Sequence, residues 1–327
     1  MQRLVKNRGT CIADDSIISR DRKLATQHGT VMLDPETFLT AMEDKLQRLD
    51  LLKGRLQWIS RVPGGDINDA IRVADDERDY FIKINRAELS PMFEAEAEAL
   101  QLIARTATLT CPVPIAWGRL DRTAYLVLEY LQLSARGNDA ALGEGLAAMH
   151  HCTSDSFGWH RDNYIGTTTQ ANTPSDDWIE FWAARRLNYQ LQLARKNGHI
   201  GQLQETGTAV MEHLPALFNG YAPVPSLLHG DLWGGNCAFL AKGTPVIFDP
   251  ASYYGDRETD LAMTELFGGF SAEFFAAYRA HWPIHEGYPL RRDLYQLYHV
   301  LNHLNLFGGH YHEAALKLMN SLLVRSR

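Results

Sequence analysis

One segment of this chain reads His229-Gly230-Asp231-Leu232-Trp233-Gly234-Gly235-Asn236. Within it, Asp231 and Asn236 are five positions apart. Asp249 follows Asn236 by thirteen positions and ends the largely apolar run 245–248. Each of these three side chains alone would be ordinary in a loop or at the end of a strand. Their joint order and spacing argue against coincidence and indicate that they share one site.

The spacing of Asp231 and Asn236 is that of the catalytic loop signature of kinases. Phosphoryl transfer needs a carboxylate beside the acceptor hydroxyl and oxygen ligands for the magnesium ion on the nucleotide phosphates. We therefore expect Asp231 to be the catalytic residue, and Asn236 and Asp249 to be the metal ligands. His229 is expected to form structural hydrogen bonds, and Asp260 to anchor the loop that carries Asp249.

A lysine in the first half of the chain fits the same chemistry. Lys83 stands inside the run Tyr80-Phe81-Ile82-Lys83-Ile84, which is typical of a β-strand. The plain alternative is an exposed lysine on an edge strand. In kinases, a strand lysine instead binds the nucleotide phosphates and pairs with a glutamate on the following helix.

The helix predicted over residues 92–105 offers three glutamates as partners for Lys83. Glu94 and Glu98 fall on a polar stripe at helical spacing, which indicates a solvent-facing side. Glu96 has apolar residues three and four positions away on both sides. A buried carboxylate without a partner would be costly. We therefore predict that Glu96 pairs with Lys83.

The remaining nucleotide contacts are predicted on either side of the Lys83 strand. Gly64, Gly65 and Asn68 lie in a turn between two short strand patterns, where a loop could cover the phosphates. The signal is weak alone, because any hairpin can carry such a turn. Glu129 and Leu131, where the chain leaves the last predicted strand of the first half, are also expected to contact the nucleotide.

The order of patterns predicts an α+β protein with two lobes and a ligand cleft between them. Residues 34–131 form a small β-rich lobe with one key helix, and residues 132–327 form a larger helical lobe. Residues 1–33 are interpreted as a poorly ordered or peripheral extension. Strands are predicted over 58–62, 70–73, 80–84 and 124–130, and strand-like segments over 227–229 and 245–249. Helices are predicted over 34–49, 92–105, 140–151, 178–196, 202–219, 271–281 and 291–306, with His150-His151 capping the end of one of them.

Composition excludes several classes of protein. The chain has 327 residues, of which 45% are hydrophobic, and this is too many for a disordered chain. No apolar stretch is long enough to span a membrane. The net charge of −7 argues against nucleic acid as a partner. The four cysteines form no CxxC pair and residues 1–30 contain no signal-peptide core, which together predict a cytoplasmic protein.

These motifs resemble the protein-kinase-like fold, and within it the branch of aminoglycoside and choline phosphotransferases. The resemblance narrows to the fructosamine kinase, or ketosamine 3-kinase, family. It is carried by the segments 228–236, 248–251, 254–258, 92–96 and 298–309, and by a W-x2-F-x3-R pattern at Trp178, Phe181 and Arg185.

The resemblance covers residues 34–320 and implies a function. Members of the family use ATP and Mg²⁺ to phosphorylate the C3 hydroxyl of a ketose attached to an amine. The resulting 3-phosphate releases the amine, so the reaction removes sugar from glycated protein. By analogy, Trp233 is expected to lie under the sugar. Trp178 and Arg185 either line the acceptor site or hold helices together.

Two alternatives to this function stay open at the level of sequence. The chain could phosphorylate another hydroxyl acceptor, of the aminoglycoside or choline type. It could also be a nucleotide-binding pseudokinase, although none of its five key residues is degraded. The ketosamine could be a small molecule or part of a protein, and we expect a monomer or weak dimer with no membrane partner.

Overall fold

The computed structural model describes residues 35–63 and 67–325. The predicted extension 1–33 therefore lies outside the described residues, as do Gly64 and Gly65 of the predicted phosphate loop. No helix in the described part is both long enough and apolar enough to cross a membrane.

The first half of the chain forms a five-stranded antiparallel sheet. Its strands are β1 (Gln57–Arg61), β2 (Asp69–Ala74), β3 (Asp79–Arg86), β4 (Pro114–Leu120) and β5 (Thr123–Glu129). Their spatial order is β1-β2-β3-β5-β4, so β3 lies in the centre. Helix α1 (Pro35–Arg48) precedes the sheet, and α2 (Ser90–Thr106) connects β3 to β4.

The alternation of side chains along β3 places Lys83 on the side of α2. Successive residues of a strand point to opposite faces of the sheet. Ile82 and Ile84 are buried with the apolar stripe of α1 on one face. Lys83 faces the other way and is the register partner of Leu126 on β5. Leu126 belongs to the same buried cluster as Phe93 of α2, so Lys83 projects toward that helix.

The second half is mainly helical. Its helices are α3 (Asp139–His150), α4 (Trp178–Phe181), α5 (Tyr189–Lys196), α6 (Gln202–Leu217), α7 (Glu258–Leu266), α8 (Ala272–His281), α9 (Tyr288–Phe307) and α10 (Tyr311–Arg325). Three two-stranded sheets pair β6 (Asn163–Ile165) with β7 (Thr168–Gln170), β8 (Ser226–Leu227) with β11 (Tyr254–Gly255), and β9 (Cys237–Phe239) with β10 (Pro245–Ile247). The predicted α+β class is confirmed, while the lobe boundaries at residues 34 and 132 stay predictions.

Several elements differ from the predicted pattern. The helix expected over 178–196 is interrupted by a π-helical segment, Trp182–Asn188, between α4 and α5. Strand β4 was not predicted, because Pro114 and Gly118 are unusual inside a strand and a bulge near its start breaks the alternation. Helices α7 and α10 were also not predicted.

The packing of α1 on the sheet can be tested with two leucines of opposite exposure. Leu46 is 0% exposed under the sheet, whereas Leu49, just after the helix, is 45% exposed. We expect Leu46→Ala to cost about 2–5 kcal/mol, because it leaves a cavity in the core. Leu49→Ala is expected to change stability by less than about 0.5 kcal/mol. Urea unfolding of both variants checks this, and equal losses would contradict the packing described.

Candidate active site

A short hairpin brings Asn236 and Asp249 together. Asn236 directly precedes β9, and Asp249 lies two residues after the end of β10. The two strands pair antiparallel. The backbone N–H of Phe248 donates to the carbonyl oxygen of Asn236 at 3.0 Å, which extends the pairing toward the site. The separation of thirteen residues between Asn236 and Asp249 is therefore the length of this hairpin.

Asp231 and Asn236 are joined within the catalytic loop. The Nδ2 of Asn236 donates to the carbonyl oxygen of Asp231 at 2.9 Å and to its Oδ2 at 3.1 Å. These bonds orient the amide so that its Oδ1 stays available as an oxygen ligand. Burial raises the pKa of Asp231 to about 7, and the nearby charge of Asp249 adds to the effect.

The structure brings Lys83 into contact with two carboxylates. Its Nζ donates to Glu96 Oε1 at 2.6 Å and also binds Oδ1 of Asp249. Burial raises the pKa of Glu96 to about 7, against the lowering effect of the Lys83 ammonium. Burial alone would lower the pKa of Lys83, but the charges of Asp249 and Glu96 raise it above its usual value. Lys83 therefore links the sheet to α2 through Glu96 and to the helical half through Asp249.

The two other glutamates of α2 point away from Lys83. Both are bound by Arg161 of the helical half, which donates to Glu94 Oε2 at 3.2 Å and to Glu98 Oε1 at 3.0 Å. Glu94 is exposed, as expected for this stripe, and Glu98 is half-buried. Glu96 alone of the three contacts Lys83, as the apolar surroundings of that position predict.

A buried carboxylate holds the catalytic loop from behind. Asp260 Oδ2 accepts the backbone N–H of His229 at 2.7 Å, and Oδ1 accepts that of Gly230 at 2.8 Å. Nε2 of His150 lies 3.1 Å from Oδ2 as well. Burial would raise the pKa of Asp260, but its hydrogen bond with His150, together with that from Gly230, lowers it. Asp260 therefore anchors the loop of Asp231 directly, rather than the loop of Asp249 as predicted.

His229 connects the two loops. Its Nδ1 accepts the backbone N–H of Asp231 at 3.2 Å, so its Nε2 carries the proton and donates to the carbonyl oxygen of Phe248 at 3.0 Å. Burial lowers the pKa of His229, which favours the neutral ring needed for both bonds. Both ring nitrogens of His229 are thus used in structural hydrogen bonds, as predicted.

Gly230 permits the two loops to pack closely. Its φ is +83°, and a Cβ at this position would lie 2.1 Å from the carbonyl oxygen of Ala251. The backbone N–H of Ala251 in turn donates to the carbonyl oxygen of His229 at 2.9 Å. Asp249 itself has a φ of +58°, a left-handed conformation that costs energy for any residue with a side chain.

The nucleotide loop is only partly described. Asn68 Oδ1 accepts Nδ2 of Asn85 at 2.7 Å, and the same Nδ2 donates to the carbonyl oxygen of Ile67 at 2.9 Å. Asn85 lies two residues after Lys83 on β3, so this strand carries the lysine and also holds the end of the loop. At the connector, Glu129 is exposed and Leu131 is half-buried. Contact of Asn68, Glu129 and Leu131 with a nucleotide stays a prediction.

The three residues predicted at the acceptor have different surroundings. Trp233 is 40% exposed beside the catalytic loop and meets the edge of Phe267. Trp178 is buried in the core, where its Nε1 donates to the hydroxyl of Tyr295 at 3.0 Å. This favours the helix-holding alternative for Trp178. Arg185 is exposed, and its neighbour Arg186 is the buried arginine of this segment.

Two functional candidates were missed or misassigned from the sequence. His150 was expected to cap a helix, but it is fully buried and bound to Asp260, because the helix places it facing α7. Arg186 was passed over in favour of Arg185. The sequence carries no signal that separates the two arginines, because the π-helical segment Trp182–Asn188 turns them differently from an α-helix.

The donor set fits a magnesium ion that arrives with a nucleotide. In the described part of the chain, no group of three His, Cys, Asp or Glu side chains could hold a metal. The amide oxygen of Asn236 and the carboxylate of Asp249 are hard oxygen ligands. Mg²⁺ commonly takes one or two carboxylates and completes its shell with phosphates and water.

The sheet, the Lys83–Glu96 pair and the two joined loops define a kinase-like phosphotransferase. Solved structures agree on the fold. Choline kinase LicA from Streptococcus pneumoniae superposes with a TM-score of 0.60 at 13% identity, covering 88% of this chain and 99% of its own. A structure from Haemophilus somnus that carries the name fructosamine-3-kinase has a TM-score of 0.80 at 28% identity, covering 87% of this chain and 97% of its own.

The chain belongs to the fructosamine kinase family, whose model matches residues 26–325. The match begins earlier than residue 34, where the resemblance was expected to start, so part of the predicted extension lies within the family pattern. A Synechocystis protein named as a probable ketoamine kinase is 45% identical over 272 residues, which is 82% of this chain and 91% of that protein. The chloroplastic protein-ribulosamine 3-kinase of Arabidopsis thaliana is 41% identical over 288 residues, 86% of this chain and 88% of that protein.

The close packing at Gly230 can be tested against another left-handed glycine. Gly220 has a φ of +73° but nothing within 4 Å of a Cβ. We expect Gly220→Ala to cost about 1 kcal/mol from backbone strain alone. Gly230→Ala should cost more and also reduce activity, because the Ala251 carbonyl must move. Thermal unfolding and an activity assay of both variants check this, and matching behaviour would contradict the contact.

Proposed function

We propose that this protein transfers the γ-phosphoryl group of ATP to the C3 hydroxyl of a ketosamine. One observation carries the proposal: two bonded groups from distant parts of the chain lie side by side. Lys83 binds Glu96 and Asp249, and Asn236 binds Asp231. The backbone bond from Phe248, next to Asp249, to the carbonyl oxygen of Asn236 joins the two groups. Membership of the fructosamine kinase family implies the use of ATP. The names of the Synechocystis and Arabidopsis relatives support a ketosamine as acceptor.

In this proposal Asp231 acts on the acceptor. Its carboxylate orients the C3 hydroxyl and takes its proton as the oxygen attacks the γ-phosphorus. The bond between that phosphorus and the bridging oxygen breaks, and ADP leaves with the electron pair. A carboxylate of raised pKa is a better proton acceptor than an ordinary one. Most of the rate would come from holding the two substrates in line.

The other residues act on the nucleotide. Lys83 would bind its phosphates, with Glu96 keeping the ammonium in place. Asn236 and Asp249 would hold Mg²⁺, which when bound offsets negative charge on the phosphates. The end of the loop at Ile67 and Asn68, held by Asn85, would lie beside the phosphates.

The wider setting is also part of the proposal. We place the protein in the cytoplasm because its cysteines show no disulfide framework, although the chloroplastic name of the Arabidopsis relative shows that location varies among relatives. Trp233, exposed beside Asp231, is proposed to contact the sugar. The acceptor would be a free or protein-bound ketosamine.

A substrate panel tests the proposal. The purified protein, Mg²⁺ and ATP are mixed with ribulosyl-lysine, erythrulosyl-lysine or fructosyl-lysine, and ADP and the sugar phosphate are measured. We expect at least one ketosamine to be phosphorylated on C3. Turnover of choline or an aminoglycoside but no ketosamine would refute the acceptor while leaving the kinase chemistry. No turnover of any acceptor would favour the pseudokinase.

The same assay tests the role of Asp231. We expect Asp231→Asn to lower kcat by roughly 100-fold or more, because the proton acceptor is lost while the shape is kept. The matched variant is Asp155→Asn, which changes an exposed aspartate. It should leave kcat unchanged. Full activity of Asp231→Asn would rule out the proposed role.

The helix α2 offers a matched test of the lysine's partner. Glu96→Gln should lower kcat/KM for ATP by about tenfold or more, since a hydrogen bond between charged groups is worth about 1.5 kcal/mol or more. Glu94→Gln, two positions away and 49% exposed in its side chain, should have little effect. Steady-state kinetics with varied ATP measure both. Similar losses in both variants would mean that the helix, and not the ion pair, is being disturbed.

A further inference from the structure

A cluster of buried amide side chains lies behind the loop that carries Asp249. We propose that Asn163 and Gln170 are positioning residues that hold the backbone of this loop and so fix the metal-binding carboxylate. Asn172, Arg186 and Tyr298 orient these two amides. The inference rests on the proposed function, because it concerns the Mg²⁺ ligand of that reaction.

Two bonds tie the amides to the loop. The Nε2 of Gln170 donates to the carbonyl oxygen of Ala251 at 3.0 Å. The Nδ2 of Asn163 donates to the carbonyl oxygen of Ser252 at 2.8 Å. These carbonyls lie two and three residues after Asp249, and the amides are 1% and 2% exposed. A buried carbonyl that loses its donor is left without water to replace it.

The hairpin of β6 and β7 explains why the two amides act together. Asn163 and Gln170 are register partners across the hairpin, so their side chains point to the same side. The Nε2 of Gln170 also donates to Oδ1 of Asn163 at 2.9 Å. A rigid two-stranded unit thus presents two donors to two successive carbonyls.

Other groups fix which way each amide points. Nδ2 of Asn172 donates to Oδ1 of Asn163 at 2.7 Å, and the hydroxyl of Tyr298 donates to Oε1 of Gln170 at 2.8 Å. The side-chain oxygens of Asn163 and Gln170 therefore accept hydrogen bonds from these groups. Their side-chain nitrogens are left to face the loop that carries Asp249. Arg186 donates to Oδ1 of Asn172 at 2.7 Å and lies 4.1 Å from the ring centre of Tyr253. The side-chain nitrogen and oxygen of all three amides therefore have partners, and buried amides satisfied in this way favour one rigid arrangement.

The loop held by the two amides, residues 249–252, carries the proposed metal ligand Asp249. Asp249 adopts a left-handed φ of +58°, and nearby structure must impose this conformation. Gly230 packs closely against the carbonyl oxygen of Ala251. This carbonyl therefore sets the distance between the loop of Asp231 and the loop of Asp249. Moving Ala251 would shift the carboxylate of Asp249 relative to Asn236. Groups that orient metal ligands in this way commonly change metal affinity when they are altered.

The test replaces Gln170 by methionine, which has similar length and no donor. We expect the Mg²⁺ concentration for half-maximal activity to rise roughly tenfold or more. The KM for the ketosamine should change by a smaller factor, because Asp260 and Asn236 hold the Asp231 loop through bonds that do not involve the two amides. Mn²⁺ binding to the protein saturated with a non-hydrolysable ATP analogue, measured by electron paramagnetic resonance, should weaken by the same factor.

A matched variant separates positioning from general stability. Gln204 Nε2 also donates to two acceptors, the carbonyl oxygens of His199 at 2.8 Å and Leu191 at 3.0 Å, far along the chain from the loop. Gln204→Met should lower thermal stability and leave the Mg²⁺ requirement as in the wild type. If Gln170→Met does not fold, Tyr298→Phe removes only the hydroxyl that orients Gln170 and should shift the requirement in the same direction.

The outcomes are distinct. An unchanged Mg²⁺ requirement and unchanged Mn²⁺ binding in a folded Gln170 or Tyr298 variant would overturn the inference, even where the melting temperature falls. If the wild-type protein phosphorylates no ketosamine, the proposed function fails. The Mn²⁺ comparison then still decides whether the amides position the metal ligand.

Discussion

The ammonium of Lys83 is the charge around which the cleft is arranged. It comes from the centre of the sheet and binds Glu96 from α2 and Asp249 from the helical half. A buried ion needs partners, because leaving one charge without its counterion inside a protein is strongly destabilising. The packing of α2 against the sheet and the approach of the Asp249 loop are both required for the lysine to be satisfied. The same contacts place the residues that phosphoryl transfer requires.

The loops that carry Asp231 and Asp249 are held by side chains that lie behind them, on the side away from Lys83. Asp260 takes two backbone amides of one loop, His229 crosses to the other, and the amides of the β6–β7 hairpin hold the far side. Most of these bonds join side chains to backbone. They therefore fix where the chain runs, and the reactive side chains follow from that path.

Sequence was most informative where one physical rule allowed a single answer. Glu96 was identified because a carboxylate on the apolar side of a helix needs a partner, and the structure supplies Lys83. Expectations from α-helical spacing were wrong where the backbone is not an α-helix. The π-helical turn places Arg186 inside and Arg185 outside, a distinction that α-helical spacing does not reveal. The buried amides were not predictable, because Gln170 and Ala251 are 81 positions apart and amides follow no periodic pattern.

The outer side of α2 has a consequence for regulation. Arg161 binds Glu94 and Glu98, and Ala95 and Ala99 of the same helix are buried in the core of the helical half. Swinging the helix outward to separate Glu96 from Lys83 would break both of these attachments. We therefore expect this chain to lack the inactive helix-out state by which a mobile helix can switch a kinase off. The rate of such an enzyme would then follow the concentration of its substrates and not the position of this helix.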